Sequence, residues 1–326
     1  MDAVARMRAM VNGYQVSHAL SAAAALGISD LLADGPRTAA QLADASGAHA
    51  PTLLRLLRAL ATVGVYERQD DGRFALTELG GALRSDVPGS VAGWATLVGR
   101  PSYVQAWGAL EDSVRTGENA FSRVHGASVW EYRAARPEEQ AVFDRAMTSL
   151  SGPVADAVAQ AYDFDRFGSV VDVGGGRGHQ LAAILARHPG VRGVLFDQPE
   201  AVAAVPPGER MSVVGGDFFA AVPEGCDAYL LKAVLHDWPD DESVAILRGC
   251  RRAMAPGGVV LIVEQLLDLA PDPVRTAFSD LNMLVAPGGR ERELAEYGNL
   301  LTAAGFALGR AVPTGTDVFV IEGHPV

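Results

Sequence analysis

Residues 170–178 read Val-Val-Asp-Val-Gly-Gly-Gly-Arg-Gly, a short apolar run that stops in four glycines. A β-branched run of this length, bounded by glycine, predicts a buried strand entering a turn. Glycines there let backbone approach a ligand with no Cβ in the way. Gln180–His188 follows with helical spacing, so the unit is strand, turn, helix. The same alternation continues from about Phe167. Strands are predicted at Ser169–Val173, Gly193–Phe196, Met211–Gly215, Ala228–Leu231, Val259–Glu264 and Val318–Glu322, with helices at Pro199–Val205 and Asp240–Met254 between them. This pattern predicts an α/β fold with a doubly wound, Rossmann-like, mostly parallel sheet whose ligands bind at the carboxyl ends of the strands.

Spacing narrows the ligand. A dinucleotide fingerprint needs a third glycine at position 179, which is His179, and no Gly-Lys-Ser/Thr occurs for a phosphate loop. What stands here is Asp172-x-Gly174-x-Gly176-x-Gly178, which resembles motif I of class I methyltransferases. Asp197 ends the second strand, where a carboxylate can accept from ribose hydroxyls. After the third strand, Asp217 can take an adenine amino group and Phe218 can cover the ring. Singly, each acid also fits a surface loop or helix cap. In order, at successive strand ends, they point to S-adenosylmethionine.

The first hundred residues read differently. Ala3–Leu32 carries apolar residues at helical spacing, Gly35-Pro36 breaks it, and helices follow at Thr38–Ala45 and Ala50–Val63. Val65–Arg68 and Arg73–Leu76 flank an Asp-Gly turn, a strong hairpin signal. Three helices and a hairpin are the order of a winged helix. Such a module either reads DNA or scaffolds a dimer. Its expected recognition helix holds only Arg55 and Arg58 against five leucines, so scaffolding is expected. The domains predicted are a winged-helix-like dimerisation domain at 1–100, a helical linker at 101–165 contributing to the substrate pocket, and a cofactor-binding catalytic domain at 166–326.

Composition sets the partners. The formal net charge of -12 disfavours nucleic acid and anionic membranes. There is no apolar run of transmembrane length and no leader-like start, and two cysteines in no metal-ligand spacing suit a cytoplasmic protein. The 27 basic residues are arginines except for Lys232.

After the fourth strand comes Leu231-Lys232-Ala233-Val234-Leu235-His236-Asp237-Trp238, at the carboxyl edge of the sheet. Ile262-Val263-Glu264-Gln265 and Gly288-Gly289-Arg290-Glu291-Arg292 are expected to converge there. With these stretches, the chain resembles the plant-type small-molecule O-methyltransferases and their actinobacterial natural-product relatives over nearly its whole length. The resemblance implies His236 as general base, flanked and oriented by Glu264 and Glu291. It places Lys232 and Trp238 near the adenine, with Gly174, Gly176, Asp197, Asp217 and Phe218 completing the cofactor site. It places Phe143, Met147 and Met283 beside the acceptor, with Asn282 among the substrate-lining positions, and it implies a homodimer through the N-terminal domain.

The chemistry agrees. The methyl donor is already activated, so the enzyme must align a nucleophile, which can supply roughly 7–11 kcal/mol at the upper end, and take a proton from a hydroxyl. A histidine of ordinary pKa near ~6.5 suits that task, and a carboxylate on its other nitrogen fixes the tautomer. The Glu264 contact is expected to matter more than that of Glu291. The loop departs from plant members at Arg290, where lysine is common, and at Glu293, where threonine is usual. The expected reaction is methylation of a hydroxyl, phenolic by expectation, of a small aromatic secondary metabolite, yielding S-adenosylhomocysteine. The alternatives are a non-methylating hydroxylase, decarboxylase or pericyclase, or an N-methyltransferase on the same fold, and a metabolite-sensing regulator. No metal is expected, because Asp237, Asp240, Asp241 and Glu242 open a helix, where acids suit the dipole.

Overall fold

The computed structural model describes residues 2–326, and the chain forms two compact units. The first comprises residues up to Gln105 together with Glu131–Leu150, and the second Ala106–Trp130 together with Ser151–Val326.

In the first unit, the expected helix over 3–32 is three helices, Ala3–Val11, Gly13–Ala25 and Ile28–Leu31. Asn12 caps the first, and Gly27 breaks the second with a left-handed φ of 64°. Ala39–Ser46 is opened by a capping box between Thr38 and Gln41 and closed by left-handed Gly47. Ala50–Thr62 carries Pro51 in its first turn and buries Leu53, Leu57 and Leu60. The hairpin pairs β1 (Tyr66–Arg68) with β2 (Phe74–Leu76), turning at Gly72. These elements close on Ile28, Leu32, Leu42, Tyr66 and Phe74. Met7, Met10, Val11 and Tyr14 are exposed, an apolar helical row that a single chain leaves uncovered.

The second unit holds a seven-stranded sheet of β3 (Ser169–Val173), β4 (Arg192–Asp197), β5 (Met211–Gly215), β6 (Ala228–Lys232), β7 (Val259–Gln265), β8 (Phe306–Pro313) and β9 (Val318–Pro325). Its order is β5-β4-β3-β6-β7-β9-β8. The first five of that order are parallel, and β9 alone runs against them, so β8, antiparallel to β9, runs with them. β6 and β7 are buried on both faces, which explains their unbroken apolar runs. The strand β8 was not expected. It is a mostly exposed edge strand with a register shift between Leu308 and Ala311, and it carries Gly309 and Pro313, which mask a strand signal.

The order reverses between β3 and β6, because β4 and β5 step one way and β6 and β7 the other. That reversal opens a crevice at the carboxyl ends of these strands, where ligands of such sheets bind.

Candidate active site

The turn after β3 has left-handed Gly174, Gly176 and Gly178, with φ of 71°, 57° and 77°. Gly174 donates to the Phe196 carbonyl and Gly176 to Asp197 Oδ2 at 2.8 and 2.7 Å, so the turn is tied to the end of β4. A Cβ at Gly174 would meet Val234 at 2.8 Å and one at Gly175 the Asp172 carboxyl at 2.6 Å, whereas Gly176 faces open space. That open side is a cradle for a ligand. Asp217 accepts from the Phe219 amide at 2.9 Å. Phe218 and Phe219 meet the Trp238 ring edge-on at centroid separations of 5.9 and 4.8 Å, and Trp130 stacks on Trp238 at 6.0 Å. Acids at two strand ends, aromatic faces and a Cβ-free turn fit a ribose, an adenine and an amino-acid tail.

Asp172 is buried, and Oδ2 has no hydrogen-bond partner. Burial raises its pKa to about 7, with Lys232 opposing and Asp197 adding to the rise. Lys232 ends β6, and burial lowers its pKa against the pull of Asp172 and Glu264.

The chain then makes a tight turn. Ala233 has φ of 53°, the only non-glycine positive value among the described residues, and Leu235–Asp237 form a 3-10 turn. That strained entry turns three successive amides, of Val234, Leu235 and His236, toward Glu264 Oε1 at 3.0, 3.0 and 3.3 Å. The other Glu264 oxygen lies 3.3 Å from His236 Nδ1, and Glu291 Oε1 lies 3.2 Å from the same nitrogen. Two carboxylates on Nδ1 favour a proton there, and Nε2 lies 3.7 Å from Asp237 Oδ1. Burial disfavours the imidazolium, but Glu264, Asp237 and Glu291 outweigh it and raise the His236 pKa to about 10. Burial raises Glu264, and His236 opposes it, whereas His236 and Ser279 hold Glu291 below its ordinary value.

Glu291 is positioned by its own frame. Ser279 Oγ donates to Glu291 Oε1 at 2.7 Å, and the Glu291 amide donates to Asp280 Oδ1 at 2.9 Å. Ahead of it, Gly289 packs against the His236 peptide, and the Arg290 amide donates to the His236 carbonyl at 2.9 Å. Asn119 Nδ2 donates to the Leu284, Val285 and Ala286 carbonyls, pinning the start of this loop.

His236, Glu264 and Glu291 therefore come together as the sequence predicted. Their ligand-type atoms lie within 4.8 Å of one another, a span a metal ion could also occupy. Of the expected substrate-lining residues, Asn282 and buried Met283 lie on the last turns of the Pro273–Val285 helix. Phe143 and Met147 lie on the Pro137–Ala161 helix in the first unit, where the Arg133 guanidinium covers the Phe143 ring at 3.7 Å. Sequence reasoning missed Asn119, Ser279 and Arg292, since each supports the site through side-chain hydrogen bonds to distant residues that no local pattern signals.

Residues 107–307 match the O-methyltransferase domain family, and residues 9–86 match the O-methyltransferase dimerisation domain. A phenazine O-methyltransferase of Lysobacter antibioticus is 43% identical over 324 residues, covering 97% of this chain and 95% of that protein. The crystal structure of LaPhzM superposes with a TM-score of 0.95 at 41% identity, covering 100% of each chain. An O-methyltransferase from neocarzinostatin biosynthesis, solved with S-adenosylmethionine and 2-hydroxy-5-methyl naphthoic acid, superposes with a TM-score of 0.83 at 37% identity, covering 95% of this chain and 96% of that one. With this site on this sheet and these relatives along its whole length, the chain belongs to the S-adenosylmethionine-dependent O-methyltransferase family.

Proposed function

We propose that the chain methylates a phenolic hydroxyl of a small aromatic metabolite, with His236 as the general base. The observation that carries this reading is His236, its Nδ1 held between two carboxylates and its Nε2 left to accept a proton. Bound S-adenosylmethionine supplies a methyl group already activated on a sulfonium sulfur. The glycine turn, Asp197, Asp217, Phe218, Lys232 and Trp238 hold the cofactor. Asn282 and Met283 line the acceptor. With the cofactor bound, the acceptor hydroxyl would pass its proton to His236 Nε2 as the oxygen takes the methyl group. The carboxylates that raise the His236 pKa stabilise the imidazolium this transfer forms, and the neutral imidazole is the form that takes the proton. Aromatic acceptors named for relatives, a phenazine and a naphthoate, support the substrate class.

The dimerisation domain and the exposed row from Met7 to Tyr14 support a homodimer. Among the described residues no helix is long and apolar enough to cross a membrane. Buried free Cys226 and Cys250 and the acidic charge support a cytoplasmic enzyme that does not act on nucleic acid.

Replacing His236 by Ala tests the reading. Turnover of a phenolic acceptor should fall by roughly 10²–10⁴, with S-adenosylhomocysteine affinity nearly intact. Equal turnover in that variant rejects the base assignment. The product should be heavier by one CH2, and an unchanged mass would point to a rearranging enzyme on this scaffold.

A further inference from the structure

Arg292 is fully buried, and its side chain reaches the turn that carries His236. Nη1 donates to the Leu235 carbonyl at 2.9 Å, and Nη2 donates to the Trp238 carbonyl at 2.8 Å. Asp240 Oδ1 accepts from Nε at 3.1 Å and from Nη2 at 2.8 Å, which fixes the guanidinium plane. Ser243 Oγ donates to the same two carbonyls at 3.2 and 3.3 Å. The turn is thus held at both ends. A carboxylate gathers its first three amides, and a guanidinium gathers the carbonyls before and after His236 and Asp237.

Adjacent residues divide this work because the backbone is extended. Arg292 bridges in parallel to Leu266, just past β7, and its carbonyl accepts from the Leu267 amide at 3.1 Å. Successive side chains of an extended segment point to opposite sides. Glu291 therefore meets the imidazole while Arg292 meets the peptide groups that carry it. A planar fork with several donors can span two carbonyls and a carboxylate at once, whereas a lysine ammonium cannot keep that geometry.

We infer that Arg292, braced by Asp240, is a positioning residue for the methyl-transfer step, acting by holding the 235–238 turn so that His236 meets the acceptor. The inference rests on the reading of His236 as the base. Displacement of a catalytic group by about 1 Å costs on the order of 10² in rate, so loosening the clamp should lower kcat and spare binding.

The test is a double-mutant cycle in the full-length enzyme, with Arg292→Lys and His236→Ala measured singly and together by S-adenosylhomocysteine release from a phenolic acceptor. Arg292→Lys should lower kcat by about 10–100-fold, with KM and S-adenosylhomocysteine affinity within threefold. In the His236→Ala background the same change should have almost no effect, because the base it positions is gone. Should Arg292→Lys fail to fold, Asp240→Asn takes its place, since that carboxylate is half exposed and the substitution keeps its shape. It should lower kcat by severalfold in the parent and not in His236→Ala. Unchanged kcat, or an equal loss in both backgrounds, overturns the inference alone. Full turnover in His236→Ala by itself overturns the base assignment, and the inference with it.

Discussion

A methyl group added at Gly289 should disable the enzyme while leaving its fold largely in place. A Cβ there would stand 2.1 Å from the His236 carbonyl oxygen and 2.5 Å from both the Asp237 carbonyl carbon and the Trp238 nitrogen. Real Cβ atoms essentially never approach within 3.0 Å, and all three obstacles are backbone, which cannot swing aside like a side chain. Loop and turn must therefore part by about 0.9 Å, the difference between 3.0 and 2.1 Å. The hydrogen bond from the Arg290 amide to the His236 carbonyl, now 2.9 Å, then stretches out of range. Glu291 sits one residue further on, so its carboxylate withdraws from Nδ1 as well. The steric part costs about 1–3 kcal/mol of stability, and the misplacement costs on the order of 10² in rate. The assay is kcat from S-adenosylhomocysteine release with a phenolic acceptor, beside a thermal melt of the same preparation. A Gly289→Ala enzyme that folds and turns over within twofold of the parent would refute the claim that this loop sets the geometry of the base.

The two carboxylates should fail in different ways. Glu291→Gln should lower kcat by about 10–10² and shift the pH–rate profile, with little change in the melting temperature. Glu264→Gln should lower both activity and melting temperature, since its Oε1 also gathers three backbone amides; equal melting of the two variants would contradict that division. Stability should fall as pH rises from 7 to 10. The His236 pKa is raised from 6.5 to about 10, so its contribution is complete below 6.5 and lost as pH climbs through 10. Melting temperatures of His236→Asn across that window should show a shallower decline, and an unchanged slope would argue against a charged His236 in the resting enzyme. Thr38→Ala removes the capping-box oxygen of the Ala39–Ser46 helix and should cost about 0.5–2 kcal/mol by denaturant unfolding, with kcat unaltered.

Much of this fold was legible because its strongest signals are local. The strands at Ser169–Val173 and Met211–Gly215 agree with the structure to the residue, since each apolar run ends at a glycine or enters one. The edge strand at Phe306–Pro313 was not legible, because its pairing to β9 is supplied by the rest of the sheet. The three site residues were legible through their neighbours in sequence, but their division of work was not. The sequence reading ranked the Glu264 contact above that of Glu291. In the structure both reach Nδ1 at nearly the same distance, and Glu264 spends its other oxygen on the turn. Arg292 was invisible for a plainer reason. Arg290-Glu291-Arg292-Glu293 was read for Glu291 alone, and nothing in that run of charges tells that Arg292 is buried as well.

The solitary lysine gains meaning once these groups are seen together. Buried Asp172, Glu264 and Glu291 and partly buried Lys232 and His236 form a row of alternating charge across the carboxyl ends of β3, β6 and β7 and the loop beside them. Each member costs free energy to bury and is stabilised by its neighbours. Fully ionised, the row carries three negative and two positive charges, so its protonation states are linked. Burial lowers the Lys232 pKa, and Asp172 and Glu264 oppose the fall. Lys232 is the one basic residue besides His236 in this row, and its attraction to Asp172 and Glu264 offsets part of the cost of burying them.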